Sequence, residues 1–279
     1  MKAIKLDIYQ EQAHFREPKI LNVSLLTTIP LPPPTTIVGM LTHLRGQRFN
    51  EIIDIGIIGK FESVRTDFQR TERSSWLEFY IKGLTTKTKN VSFDPSLSGP
   101  HYESFQEYKK RKKLQGISTY EILYDGHLTI FIKSKQEKTL NEIYLSLKNP
   151  SYYVSLGRKE DFARIESVEI IEIEENVEIS KKEAMKNDYI LKNTYVPVKF
   201  KVPPDEFSES VAKIGTLYAL PRIYSDIYAP KKDRKYVYHH YIHIGEQSYY
   251  LDGCFNRYQK TIFKWLVQTG EENDTLCQN

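Results

Sequence analysis

Apolar and polar residues alternate from the start of the chain. Ile4, Leu6 and Ile8 oppose Lys5, Asp7 and Tyr9, a period of two that predicts a half-buried strand over residues 2–9. The alternation ends before a segment in which Pro30, Pro32, Pro33 and Pro34 occupy four of five positions. Fixed φ and missing N–H donors exclude helix interior and central strand there, so residues 30–34 form an extended connector. The period then changes. Ile37, Met40, Leu41 and Leu44 fall at i, i+3, i+4 and i+7, which predicts an amphipathic helix with Thr35 or Thr36 as its cap. Gly39 sits inside it at a cost of roughly 1 kcal/mol against alanine; a group bound close to that turn or a helix-on-sheet contact each accounts for it.

An isoleucine-rich run over residues 52–59, followed by alternation to 68, predicts a second strand, bent at Gly56 or Gly59. After a short apolar piece at 76–81, residues 83–117 become rich in Thr, Lys, Ser, Gly and Pro and then strongly basic, which reads as a long excursion. Strands are expected again at 120–124 and 128–132 around Asp125-Gly126, a dipeptide that favours a tight hairpin turn. Thr139 caps a second predicted helix with Leu140, Ile143, Tyr144 and Leu147 on one face and Asn149-Pro150 as its stop. Further strands are expected at 152–156 and 168–173.

Strand, helix, strand, excursion, strand, helix, strand is the split βαβ order of a ferredoxin-like, RRM-like domain. The expected class is therefore α+β, with a βαββαβ domain over residues 1–178 and its insertion at 83–117. Residues 179–279 predict a β-rich C-terminal region, with strands at 196–202, 215–220, 236–244 and 247–251 and a turn at Gly245-Glu246. A terminal helix is expected over 255–267 from the spacing of Ile262, Phe263, Leu266 and Val267, before a polar, frayed end.

Composition narrows the function. A chain of 279 residues, 40% hydrophobic, can bury a large core. Forty Lys and Arg against 36 Asp and Glu leave a charge of only +4, so polyanion binding has to come from local clusters. Two cysteines, Cys254 and Cys277, exclude a disulfide framework and a paired zinc spacing, which fits a reducing cytoplasm. There is no charged-then-apolar leader and no apolar run approaching about 18 residues, so neither secretion nor a membrane span is expected.

Three elements carry a resemblance. The first strand with its Ala13-His14-Phe15-Arg16, the proline connector leading into Thr35-Thr36-x-x-Gly39, and Leu156-Gly157-Arg158-Lys159-Glu160-Asp161 follow one another in order. They resemble the fifth CRISPR-associated protein family, part of the repeat-associated RNA-binding (RAMP) superfamily, over roughly the first 170 residues. The resemblance implies a subunit of a type I Cascade surveillance complex, closer to type I-B than to type I-C. Such a subunit caps the 5′ handle of the crRNA and bridges the repeated backbone subunit to the large subunit, meeting target DNA only indirectly. It implies no cofactor, and a protruding thumb at the insertion that grips the guide RNA.

The most suggestive chemistry lies in that insertion. Lys109, Lys110, Arg111, Lys112 and Lys113 are five consecutive cations near His101, Tyr102, Phe105 and Tyr108. Cations that neutralise phosphates beside rings that stack on bases are a common way to hold single strands; a solvated cationic helix face is the plain alternative. In the second cluster, Gly157 lets backbone approach a phosphate, Arg158 offers a bidentate fork and Lys159 a point charge; equally, Arg158 can pair with Glu160 or Asp161 in a strand-end turn. His14, Arg16, Thr35, Thr36, Arg45 and Arg48 complete the candidate RNA-contacting set, with no catalytic residue and no metal ligand assigned. The cations at 231–235 are read as solvated, or as a DNA or neighbouring-subunit contact.

An enzyme reading stands beside the binding one. Some relatives cleave repeat RNA without metal, using a Tyr and an adjacent Lys-His pair around the ribose 2′-OH. Here the residue six after Gly39 is Arg45, and no histidine follows a lysine, so that pattern is not reproduced; His43 or His101-Tyr102 remain as other candidates. His239, His240 and His243 have a metal-like spacing, but a strand sends His240 to the face opposite the other two, which favours a histidine-bearing strand over a zinc site. Phosphate-loop and nucleophile-elbow motifs are absent.

Overall fold

The computed structural model describes residues 1–17, 25–49, 51–72, 115–198, 210–225, 235–247 and 249–266. Tyr102, Lys109 to Lys113, nearly all of the expected insertion and the run 231–234 lie outside them. The protein is a mixed α/β structure dominated by antiparallel sheet. Among the described residues its strands are β1 (Lys2–Ala13), β2 (Leu25–Leu26), β3 (Asp54–Glu72), β4 (Gln115–Lys133), β5 (Arg164–Glu172), β6 (Glu174–Ile179), β7 (Thr194–Pro197), β8 (Thr216–Ser225), β9 (Lys235–Ile244), β10 (Gly253–Tyr258) and β11 (Thr261–Phe263). Among the described residues the helices are α1 (Pro34–Arg45), α2 (Glu137–Lys148) and α3 (Lys181–Asn187).

The large sheet has the order β5-β1-β4-β3-β7-β9-β8, and β2 pairs with β4; a smaller sheet has the order β11-β10-β6. β1 is antiparallel to both neighbours, with Leu6 opposite Ile130 and Val168. Its period-two pattern sorts as expected: Ile4, Leu6 and Ile8 are buried against Ile37, Met40, Leu41 and Leu44 of α1 and Leu140, Ile143 and Leu147 of α2. On the other face Asp7 accepts from Thr129 (2.8 Å) and Ser167 (2.6 Å), and these bonds with Lys5 outweigh burial and lower its pKa.

Leu31 and Pro32 to Pro34 are buried, where proline leaves fewer backbone donors to satisfy. The fully buried Tyr195 hydroxyl donates to Leu31 O (3.0 Å) and accepts from Leu31 N (3.3 Å), which pins the connector to β7. Neither expected threonine caps its helix. Pro33 is the N-cap of α1, Pro34 supplies the first turn without needing a donor, and Thr36 N donates to Pro33 O (2.9 Å). Gln136 precedes α2, and Thr139 is buried within its first turn.

Three expectations are corrected. Asp125-Gly126 makes no hairpin: β4 runs through it, with Asp125 at φ 60° and the Phe61 ring in the space that a Cβ on Gly126 would need. The terminal helix is instead the β10–β11 hairpin, turned at Gln259 (φ 55°). The strands expected at 152–156 and 247–251 shrink to single bridges, Ser155 with Phe162 and Leu191 with Tyr249.

The chain forms two compact units, residues 1–20, 27–65 and 122–279 in one and residues 21–26 and 66–121 in the other. In the second, Leu25 and Leu26 pair in parallel with Thr119 and Tyr120. β7, β9 and β8, from the C-terminal part of the chain, extend the large sheet beyond β3. Phe263 of β11 stacks on Phe131 of β4 (centroids 4.2 Å apart, planes at 6°), and Trp265 meets Phe263 edge-on at 5.1 Å. Beside this cluster, Lys133 bridges Asp54 (3.0 Å) and Glu175 (2.6 Å); burial opposes its charge, but the two carboxylates raise its pKa.

His243 lies on β9 with its ring 5.5 Å from that of Tyr195. Burial lowers its pKa to about 4. Below pH 6.5 the unfolded chain takes up a proton that the folded chain refuses until about pH 4. The His243 contribution is therefore complete above pH 6.5 and is lost as pH falls towards 4. Urea titrations should show about 2 kcal/mol less stability at pH 5 than at pH 7 from this group. His243→Gln should remove that part of the pH dependence, and an equal slope in both proteins would place it elsewhere.

Candidate nucleic-acid interface

The glycine-bearing loop is a short hairpin held from within. Phe162 bridges Ser155, Ala163 N donates to Val154 O (2.9 Å), and Leu156 N donates to Asp161 O (3.0 Å). Gly157 has φ 116°, and a Cβ there would stand 2.8 Å from Asp161 Oδ2, so both backbone conformation and space require glycine. Gln10 of β1, fully buried, donates from Nε2 to Leu156 O (2.7 Å) and Asp161 O (3.1 Å) and so clamps the hairpin to the sheet.

Asp161 organises the loop. Its carboxylate is 0% exposed and accepts from His14 N (3.1 Å), Arg158 N (2.8 Å) and Arg158 Nη2 (2.8 Å). Glu160 lies 3.4 Å from Arg158 Nη1. Of the two readings of Arg158, the pairing within the turn is the arrangement present: its fork faces Asp161, and Lys159 is the exposed cation at the tip.

The structure joins some sequence candidates and separates others. His14, Gly157, Arg158 and Lys159 come together through Asp161, with exposed Arg16 two residues further on. Thr35 and Thr36 are half-buried in the first turn of α1, and Arg45 stands about 15 Å further along that helix by its rise per residue. Arg45 donates from Nη2 to Glu142 of α2 (2.6 Å) and from Nη1 to the carbonyl of exposed Arg48 (3.2 Å). His14 is 4% exposed, a backbone donor to the loop rather than a surface group.

Four aromatic residues that did not enter the candidate binding set link the hairpin to α1. Phe162 meets Tyr153 edge-on (5.6 Å), and His43 lies 6.1 Å from Tyr153 and 5.2 Å from Tyr152. Their sequence signal was the density of rings on either side of the loop. Among the described residues no group of His, Cys, Asp and Glu is placed to hold a metal ion, and no helix is long and apolar enough to cross a membrane. His239 instead has its ring 3.3 Å from Arg222 Nη1.

A proline-pinned helix, an antiparallel sheet with long central strands β3 and β4, and a clamped surface hairpin define a mixed α/β protein of specific type. A family model described as CRISPR-associated protein (Cas_Cas5) matches residues 3–211. The chain belongs to that family, the fifth CRISPR-associated protein family. No match was found among curated proteins. Among solved structures, a chain of a "CRISPR RNA-guided surveillance complex" is 12% identical with a TM-score of 0.46, over 90% of this chain and 91% of that one. A CRISPR protein from Archaeoglobus fulgidus is 10% identical with a TM-score of 0.41, over 94% and 98% of the two chains. A chain of the Type III-B Cmr-beta complex bound to cognate target RNA is 16% identical with a TM-score of 0.41, over 88% and 84%.

Proposed function

We propose that this chain is a non-catalytic RNA-binding subunit of a Cascade-type CRISPR surveillance complex. In this reading it resides in the cytoplasm, caps the 5′ handle of the crRNA and bridges the backbone subunit to the large subunit, without a cofactor. Membership of the family over residues 3–211 is the observation that carries the reading. The sheet order β5-β1-β4-β3, with α1 between β1 and β3 and α2 between β4 and β5, supports a ferredoxin-like, RRM-like βαββαβ architecture beneath it. A type I-B affiliation rests on the length of the proline connector and on the Leu156 to Asp161 hairpin.

The non-catalytic part of the reading is supported at Arg45. The residue at the position of the relatives' tyrosine is a cation closed onto Glu142, and it offers no base for a ribose 2′-OH. The purified chain, held in EDTA with labelled repeat RNA and separately with its 3′-terminal handle fragment, should retain both and cleave neither. Cleavage without metal would make it a processing nuclease, and failure to retain either RNA would overturn the binding reading for the isolated chain. Changing Lys109 to Lys113 to alanine should weaken retention and reduce the log-log salt slope by about 0.7 for each phosphate no longer neutralised. An unchanged slope would move the phosphate-binding cations elsewhere.

A further inference from the structure

We propose that Tyr152, His43, Tyr153 and Phe162 form a stacking track for unpaired bases of a single RNA strand, beside the Gly157 to Asp161 hairpin. The inference rests on the RNA-binding function proposed for the chain and adds to it a subsite outside the basic insertion. Tyr152, Tyr153 and Phe162 are 56%, 54% and 62% exposed, whereas Phe131 and Phe263 are 1% and 0% exposed in the core. Large rings left in water in mutual contact forgo burial that is ordinarily favourable, which marks a surface that something else covers.

Charge favours a polyanionic occupant. Exposed Lys159 stands at the tip of the hairpin whose two arms carry Tyr153 and Phe162. Exposed Arg48 lies just beyond the helix that carries His43, and exposed Lys148 ends α2 four residues before Tyr152. Two nearby acids already face cations, Glu160 opposite Arg158 and Glu142 opposite Arg45. The rings meet pairwise, Tyr152 with His43, His43 with Tyr153 and Tyr153 with Phe162, their planes tilted at 39°, 55° and 74°. Gly39 lies one turn before His43 on α1, exposed, and a Cβ there would meet no heavy atom within 4 Å, so a strand can pass close to bare backbone.

The test uses the full chain and a short single-stranded RNA carrying 2-aminopurine, read by anisotropy and by base fluorescence across a salt series. The double variant Tyr153→Ala with Phe162→Ala should bind at least about tenfold more weakly and lose quenching of the base, with an unchanged salt slope, because stacking neutralises no phosphate. Tyr153→Phe should retain both affinity and quenching, and Lys159→Ala should lower the slope. An unchanged thermal midpoint confirms that the exposed replacements leave the fold intact. If the double variant binds RNA as the wild type does, the track is no base platform while the RNA-binding function stands. The same holds if it binds RNA normally but fails to assemble with partner subunits, which would make the track a protein interface. A wild-type chain that binds no RNA overturns the function and the track together.

Discussion

Asp161→Ala should lower the unfolding free energy by about 3–5 kcal/mol, the range for removing one partner of a buried ion pair. The carboxylate is fully buried and serves three groups at once: the backbone amides of His14 and Arg158 and the Arg158 guanidinium. Removing it leaves that guanidinium, whose side chain is only 18% exposed, facing the exposed Glu160 in place of a buried counter-charge, and takes the carboxylate acceptor from both amides. Asp161→Asn should fall between the two proteins, because the shape survives while the charge does not. The pair Arg158→Leu with Asp161→Leu should be less destabilising than Asp161→Ala alone, since no charge is then stranded. Urea unfolding measures all of these, and a loss below about 1 kcal/mol for Asp161→Ala would mean that water or another donor set replaces the carboxylate.

Phe263→Ala should cost a similar amount, about 3–5 kcal/mol, and lower Tm by on the order of 10 °C. The ring packs against both Phe131, stacked at 4.2 Å, and Trp265, edge-on at 5.1 Å. Gly56 of β3 completes the seat, because a Cβ there would come within 2.5 Å of the ring. An alanine would leave a cavity lined by two aromatic rings and a strand, elements too rigid to collapse into it. Phe263→Leu should recover part of the loss. Calorimetry reads both variants, and a shift of only one or two degrees for Phe263→Ala would show that Trp265 closes the space.

Both predictions concern groups that local sequence describes poorly. The spacing of Ile262, Phe263, Leu266 and Val267 suits a helix as well as it suits a strand, because the apolar run is short. What decides for β11 is pairing with β10 through Asn256 and Phe263, and the seat for the Phe263 ring against Phe131. Asp125-Gly126 carries the composition of a turn, yet its glycine provides room for Phe61 inside a continuous strand. Threonines before a helix read as caps, but once Pro34 occupies the first helical position the Pro33 carbonyl takes up the first amides.

The candidate interface divides in the same way. Gly157 and its neighbouring cations were legible, as was the option that Arg158 turns inward, because the loop and its acids lie within five residues. The clamp by Gln10 was not: its partners Leu156 and Asp161 are 146 and 151 positions away. The aromatic track was not legible either, since His43 meets Tyr152 and Tyr153 only because α1 and the segment after α2 fold beside one another.

By itself the sequence determined the inner face of β1, the apolar stripes of α1 and α2, the extended proline connector and the family to which the chain belongs. Each of these depends on residues close together in the chain or on motifs in a set order, where period and backbone restriction act without help from elsewhere. Tertiary structure alone decided the partner of Arg158, the depressed pKa of His243, the β10–β11 hairpin and the gathering of four exposed rings. The burial of Asp161 and His243, the seat of Phe263 against Phe131 and the meeting of His43 with Tyr152 and Tyr153 join segments far apart in the chain, and none of them exists until the sheet has brought those segments together.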